Sequence, residues 1–340
     1  MKKFVGFGEL MVGLNPPGYR RFIQADTMEL NFTGAEANVC VSLATLGMDA
    51  SFVTRLPDND IARCGLALLK KYGVDTRDVV TGGNRMGVLY TEKGAAQRPS
   101  KVVYDRTYTA ISTAQPGDFN WREIFKDAAW FHFTGITPAL SDSTAALCKE
   151  ACETAKDMGI RVSCDLNYRK NLWSQEKAKA TMEQLVPYCD LVIGNEEDAE
   201  KVLGIRAADT DVTTGKLSRE GYVDVARQIQ KKYGVPKVAI TLRESLSASD
   251  NQWSAMYCEH GEAFFSPKYM IHIVNRVGGG DAFSAGLIYA LMHEYDPQRA
   301  VNFGVAASCL KHSIELDFNL STLEEIERLA AGDASGRVQR

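Results

Sequence analysis

Ile273-Val274-Asn275-Arg276-Val277-Gly278-Gly279-Gly280-Asp281-Ala282-Phe283 is a β-like stretch that runs into three glycines and then into a helical pattern. Phe283, Leu287, Ala290 and Leu291 give that helix an apolar stripe. Glycines at such a junction permit unusual dihedrals and close backbone approach, so consecutive N–H groups can converge on an anion. The positive end of the helix dipole adds to the attraction. Asp281, in the first turn, is placed to reach a substrate hydroxyl beside a bound phosphate. Phosphoryl transfer asks for little more than positioning, charge neutralisation and a group that receives the hydroxyl proton. The alternative is a glycine-rich turn followed by an ordinary first-turn acid, and the segment alone leaves both readings open.

Outward from this turn, short apolar runs alternate with helical patterns, which predicts a mostly parallel sheet covered by helices. Strands are expected at 3–8, 50–54, 129–133, 160–165, 190–194 and 237–242. Helices are expected at 36–46, 59–72, 141–158, 282–293 and 298–312, several of them closed by glycine. Ser321 and Glu324 fit a capping box for a last helix, and the tail at 333–340 is expected to fray. Two stretches, 14–32 and 84–112, alternate like strands without crossover helices. They predict a small β-sheet lid beside a main domain made of 1–13, 33–83 and 113–332. In the second stretch Val102, Tyr104, Arg106 and Tyr108 would share one strand face. Unpaired lid edges invite pairing with another copy, so a homo-oligomer is expected.

Composition excludes several classes. The 340 residues are 45% apolar, enough for a large core, and the net charge of −4 offers no basic excess for nucleic acid or anionic membrane. No apolar run approaches the ~20 residues of a membrane span. The N-terminus breaks at Gly6, Gly8 and Glu9, unlike a signal peptide, so a cytoplasmic protein is expected. Cys148 and Cys152 lie four apart without a third ligand nearby, which reads as buried thiols rather than a metal clip. Gly6-Phe7-Gly8 lacks the third glycine of a dinucleotide fingerprint, and Gly215-Lys216 is followed by leucine, so a P-loop is absent.

The triple-glycine segment resembles the C-terminal signature of the ribokinase-like (PfkB) carbohydrate kinases, in which a Gly-x-Gly-Asp turn forms the anion hole and the aspartate is the base. Gly34-Ala35-Glu36-Ala37-Asn38-Val39 resembles the family's sugar-binding turn, and Asn195-Glu196-Glu197-Asp198 its Asn-x-x-Glu motif for magnesium and phosphate. The resemblance spans nearly the whole chain and implies a three-layer α/β/α fold, ATP and Mg2+. Asp165-Leu166-Asn167-Tyr168-Arg169-Lys170-Asn171-Leu172-Trp173 and Val103-Tyr104-Asp105-Arg106 are similar to segments of the family's 2-keto-3-deoxygluconate kinases. That implies phosphorylation of this sugar acid at its terminal hydroxyl, giving the 6-phosphate. By resemblance Gly34, Asn38, Tyr90, Tyr104, Arg106, Ile136, Asn167 and Arg169 would bind the sugar acid. Asn195, Thr241, Ala307 and Ser308 would lie near the nucleotide, and Asp198 near the metal through water. Gly278, Gly279, Gly280 and Asp281 would be catalytic. The residue chemistry agrees: a carboxylate is best held by guanidinium forks, and Arg106 beside Tyr104 supplies a fork and a flat wall.

Departures from the family pattern bear on cations. Asn275 stands where an aspartate is common, which argues against a monovalent cation, and Arg276 replaces a small residue and offers a fixed positive charge instead. Asp198 is one methylene shorter than the usual glutamate. A kinase for fructose, ribose or 2-keto-3-deoxygalactonate, and a non-catalytic sugar-acid sensor on the same fold, are the rival readings.

Overall fold

The protein is described by a computed structural model covering residues 2–207 and 218–336. Gly215, Lys216 and the last residues of the expected tail lie outside the described residues. The main sheet has nine strands. From one edge, Ala50–Val53, Lys3–Phe7, Ala128–Thr134, Arg161–Asp165, Leu191–Asn195 and Lys237–Ser245 are all parallel. Asp250–Glu259 then pairs antiparallel with Lys237–Ser245 and carries both Glu262–Phe265 and Tyr269–His272. The sequence pattern gave no sign of this antiparallel edge: Asp250–Glu259 is buried on both faces, so its polar–apolar alternation is lost.

Strand periodicity sorts the core into two. Leu191 and Ile193 join Phe4, Trp130 and Ala239 under one helical layer, whereas Val192 joins Val5, Phe131, Val162 and Val238 under the other. Helices Ala35–Thr45, Gly279–Met292 and Pro297–Lys311 cover the first face, and Asp142–Asp157, Gln175–Leu185 and Arg219–Tyr233 the second. The result is the expected three-layer α/β/α arrangement. Cys148 and Cys152 are both buried in the second core as free thiols.

A separate four-stranded sheet runs in the order Glu29–Thr33, Met11–Asn15, Gly87–Glu92, Lys101–Asp105. Its first strand begins at Met11 rather than Leu14. Its last strand ends at Asp105, and Tyr108 adopts φ 56° and is 79% exposed, so it does not continue the Tyr104–Arg106 face. The last helix, Leu323–Ala330, is capped one residue later than the sequence implied. Thr322 Oγ1 accepts from the Glu325 amide (3.3 Å), and the Glu325 carboxylate accepts from the Thr322 amide (2.8 Å). Both pairs fit the motif, but Ser321 is buried and its own amide is taken by Asn319 (3.1 Å).

Candidate active site

The parallel strands end on one side of the sheet, and a cleft of about 650 Å³ opens there. Such positions beyond the carboxyl ends of parallel strands are where open α/β sheets bind ligands. The glycine turn forms its floor. Gly278 has φ 82°, and a Cβ there would collide with the Asp317 carbonyl oxygen. A Cβ on Gly279 would strike the His312 ring, whereas one on Gly280 meets no protein atom within 4 Å. The first two glycines therefore let the backbone seat against the 311–317 turn, and the third leaves open the space in front of the helix N-terminus. Helix Gly279–Met292 is 14 residues long, so its first amides and its dipole face an anion-sized opening.

Asp281 is half-buried at that floor. Asn38 Nδ2 donates to its Oδ2 at 2.6 Å, across 243 residues of sequence. Desolvation pushes the Asp281 carboxyl up to about 7, opposed by the Asn38 hydrogen bond and reinforced by the charge of Glu36. A carboxylate tuned near neutrality suits a group that must take a proton and later release it. Asn38 Oδ1 is buried with no partner among the described residues, and so remains free to accept from a ligand hydroxyl. Gly34, the residue before helix Ala35–Thr45, packs so tightly on the Glu9 carbonyl that no side chain fits.

The small sheet forms the roof. Its cleft face carries Met11, Thr33, Leu89, Tyr104 and Arg106. Arg106 lies over the Tyr104 ring (5.3 Å to its centroid) and is buried in an ion pair with Glu9. Arg106 Nε and Glu9 Oε1 have no partner among the described residues, so this pair retains one free donor and one free acceptor. Arg169 is exposed at the opposite rim, where its guanidinium donates to the Tyr168 carbonyl at 3.1 Å. Asn167, buried beside it, holds φ 37°, a left-handed conformation uncommon for a residue with a side chain and typical of functional turns.

Of the residues read from the sequence, Gly34, Asn38, Tyr104, Arg106, Ile136, Asn167, Arg169, Asn195, Asp198, Thr241 and Gly278 to Asp281 all line this cleft. Tyr90, Ala307 and Ser308 do not. Tyr90 pairs with Val103 on the outer face of the small sheet, and its neighbour Leu89, opposite Tyr104, takes the cleft side. Ala307 and Ser308 lie behind the floor, where Ala307 packs against Gly286 and the Ser308 hydroxyl donates to the Gly279 carbonyl at 2.7 Å. Small residues there serve close helix packing. Asn195 caps helix Glu196–Leu203, accepting from the Glu197 and Asp198 amides. Asp198 accepts from the Asn195 and Tyr168 amides, both at 3.1 Å, which ties the Arg169 loop to this helix. No group of three or more His, Cys, Asp or Glu among the described residues is arranged to hold a metal.

Some site groups escaped the sequence reading. Glu36 is buried and accepts from the Thr134 amide (2.9 Å), the Thr134 hydroxyl (2.8 Å) and the Thr137 hydroxyl (2.7 Å). Asp165, buried beside Asp198 and Asp281, has its carboxyl raised well above the usual range, first by desolvation. Arg243 adds positive charge to the cleft from the antiparallel side, lying over the Trp253 ring, and Arg276, expected from the sequence as a fixed positive charge, lines the cleft beside it. Glu36 and Asp165 sit inside motifs already visible in the sequence; a charged residue within a glycine- or strand-terminal motif was the available signal.

A chain with this cleft matches the model of the pfkB family carbohydrate kinases over residues 1–313. It belongs to that family. A pfkB carbohydrate kinase is a sugar kinase. The 2-dehydro-3-deoxygalactonokinase of Haloferax volcanii is 31% identical, with 98% of each chain covered. The 2-dehydro-3-deoxygluconokinase of Bacillus subtilis is 27% identical over 96% of this chain and 94% of its own. Among solved structures, the 2-dehydro-3-deoxygluconokinase of Thermotoga maritima superposes with a TM-score of 0.94 at 47% identity, covering 98% of this chain and all of that one.

Proposed function

We propose that this carbohydrate kinase transfers the γ-phosphoryl group of ATP to the terminal hydroxyl of 2-keto-3-deoxygluconate, giving the 6-phosphate. The observation that carries the reading is the convergence, in one cleft, of Asp281, an open glycine turn and two arginines on opposite walls. Arg106 and Arg169 hold the carboxylate and hydroxyl-bearing parts of the sugar acid, with Tyr104 as a flat wall. Asn38 fixes the Asp281 carboxylate and offers its free oxygen to the sugar. Asp281 receives the proton of the attacking hydroxyl, and the amides from Gly278 to Asp281 stabilise charge gathering on the transferred group. Asn195 and Thr241 border the nucleotide side.

Magnesium bound with ATP supplies neutralisation of the phosphate charge. Both Asp198 oxygens already accept backbone amides, so Asp198 would hold such a metal only indirectly, through water. The four-stranded sheet acts as a lid over the sugar acid, which excludes water and limits ATP hydrolysis. Its outer face carries Leu30, Leu14, Tyr90 and Val103 in register across all four strands, and Leu30 and Val103 are 54% and 53% exposed. This apolar row is where a second copy of the chain docks, giving a homo-oligomer.

A coupled ADP-release assay tests the substrate with 2-keto-3-deoxygluconate, 2-keto-3-deoxygalactonate, gluconate, fructose and ribose. Turnover strongest with 2-keto-3-deoxygluconate is expected. The second reading is the galactonate epimer, favoured by the Haloferax relative; the higher identity of the Thermotoga enzyme supports the gluconate form. Preference for a neutral sugar would remove the role given to the arginines.

A further inference from the structure

Lys311, the last residue of helix Pro297–Lys311, is fully buried. Lysine is almost never buried without an ionic partner, because an ammonium loses much of its hydration. Here Nζ donates to the Ile314 carbonyl at 3.3 Å, and no carboxylate among the described residues lies within ion-pair distance. The turn that follows, 311–317, is fastened to the approach to the glycine turn. The Val274 and Asn275 amides both donate to the His312 carbonyl, at 2.8 and 3.3 Å. Gly278 seats directly on it: a Cβ there would meet the Asp317 carbonyl oxygen and come within 3.2 Å of Lys311 Cε. The lysine stem therefore runs behind the backbone that faces the anion opening.

The charges that face Lys311 come from three segments. Asp317 and Glu315 on its own turn and Asp281 on the preceding helix attract the ammonium, while Lys93, from the small sheet's connection, opposes it. Lys93 is itself paired with Glu315, and Asp317 is held by the Thr33 hydroxyl. Desolvation lowers the Lys311 pKa to about 8, so the group is mainly charged at neutral pH. A buried positive charge aimed at no carboxylate, with its stem against Gly278 and its charge felt at Asp281, is what an anion-binding turn gains most from.

We propose that Lys311 is a positioning residue of the phosphoryl-transfer site. Its tethered ammonium is the fixed cation behind the Gly278–Asp281 turn, holding the turn against residues 311–317 and balancing negative charge in the cleft. The site therefore works without a soluble monovalent cation. This rests on the kinase reading above, in which that turn receives the phosphoryl group.

The test compares wild type with Lys311→Met and Lys311→Ala, using Mg-ATP and the preferred sugar acid in potassium, sodium or tetramethylammonium buffer. Wild-type kcat is expected to change less than about twofold among these salts. Lys311→Met is expected to melt no lower than wild type, since an unpaired buried charge has gone and the space stays filled, whereas Lys311→Ala melts lower because it leaves a cavity. Both are expected to lose kcat by about 100-fold with sugar-acid KM little changed. Ammonium or methylammonium is expected to restore activity to Lys311→Ala and not to Lys311→Met, whose side chain fills the space. Strong potassium dependence of wild type, a fully active Lys311→Met, or a loss that ammonium leaves untouched in Lys311→Ala would each overturn the proposal. Wild type inactive on every sugar would instead overturn the kinase reading and, with it, this inference.

Discussion

Asp281 sits where chemistry and stability pull in opposite directions. Burial and the neighbouring Glu36 charge raise its pKa to about 7, while the Asn38 amide limits the rise. In its protonated form it is too weak a base to take the hydroxyl proton, so kcat should climb as pH rises through about 7. Asp281→Asn should lower kcat by about 10²- to 10⁴-fold while leaving sugar-acid binding nearly intact; steady-state rates beside ligand-binding titration would show it. A near-normal kcat would remove Asp281 as the base. Arg106 answers a different question. Its guanidinium is already paired with Glu9, while its Nε has no partner among the described residues. Arg106→Ala should chiefly raise KM for the acid, by roughly tenfold or more for a lost charge-assisted bond. A similar loss with a neutral sugar would point to disrupted folding rather than a lost carboxylate clamp.

At the scale of elements, the small sheet presents two chemically different faces. Met11, Leu89 and Tyr104 look into the cleft, and Leu30, Leu14, Tyr90 and Val103 look away from it. Strand alternation makes this split unavoidable, because a one-residue shift would exchange the faces. If the outer row is where two copies meet, Val103→Asp should shift the protein to monomer in sedimentation or light-scattering measurements without altering its melting as a monomer. An unchanged mass would place the contact elsewhere. The same sheet is also tied to the turn between strands Lys237–Ser245 and Asp250–Glu259. The segment after strand Gly87–Glu92 sends Lys93 to Glu315, the Ala96 amide donates to Ser249 Oγ at 2.9 Å, and the Ala96 carbonyl accepts from the Ala248 amide at 2.7 Å. The roof is thus connected to the turn beneath the glycines as well as to the cleft wall that carries Arg106.

For the whole molecule, the cleft concentrates carboxylates that water would otherwise solvate. Asp165, Asp198, Asp281, Asp317 and Glu36 all have raised pKa values, each with desolvation as the first cause. A carboxyl whose folded pKa exceeds its unfolded one binds more protons when folded. Stability then falls as pH rises from the ordinary carboxylate range to the folded value, which for Asp281 means from 3.8 to about 7. Asp281→Asn should therefore melt several degrees above wild type at pH 8, and that gain should shrink by pH 5. Thermal melts at the two pH values check the sign; a variant less stable at pH 8 would show that the carboxylate contributes more through Asn38 than burial takes away. Sites that trade stability for a poised group behave in this way.

The order of elements was legible because local rules suffice for it: apolar runs, helix-closing glycines and the glycine-to-helix junction each announce themselves within a few residues. The family motifs likewise placed Gly34, Asn38, Arg106, Arg169 and Asp281 in one site. What neighbours in sequence could not supply were pairings over long separations. The Asn38–Asp281 bond, the Glu9–Arg106 pair and the seat of Gly278 on Asp317 arise only when strands from distant segments end side by side. The facing of Tyr90 depended on strand register, and the placement of Ser308 on how closely two helices approach. Lys311 is the clearest case. In the sequence it is a helix-ending lysine, favourable to the helix dipole and expected in water. Only the packed turn around it removes that water and sets its charge behind the glycines. Local propensity depends on a few adjacent residues, whereas desolvation depends on everything that packs around a group.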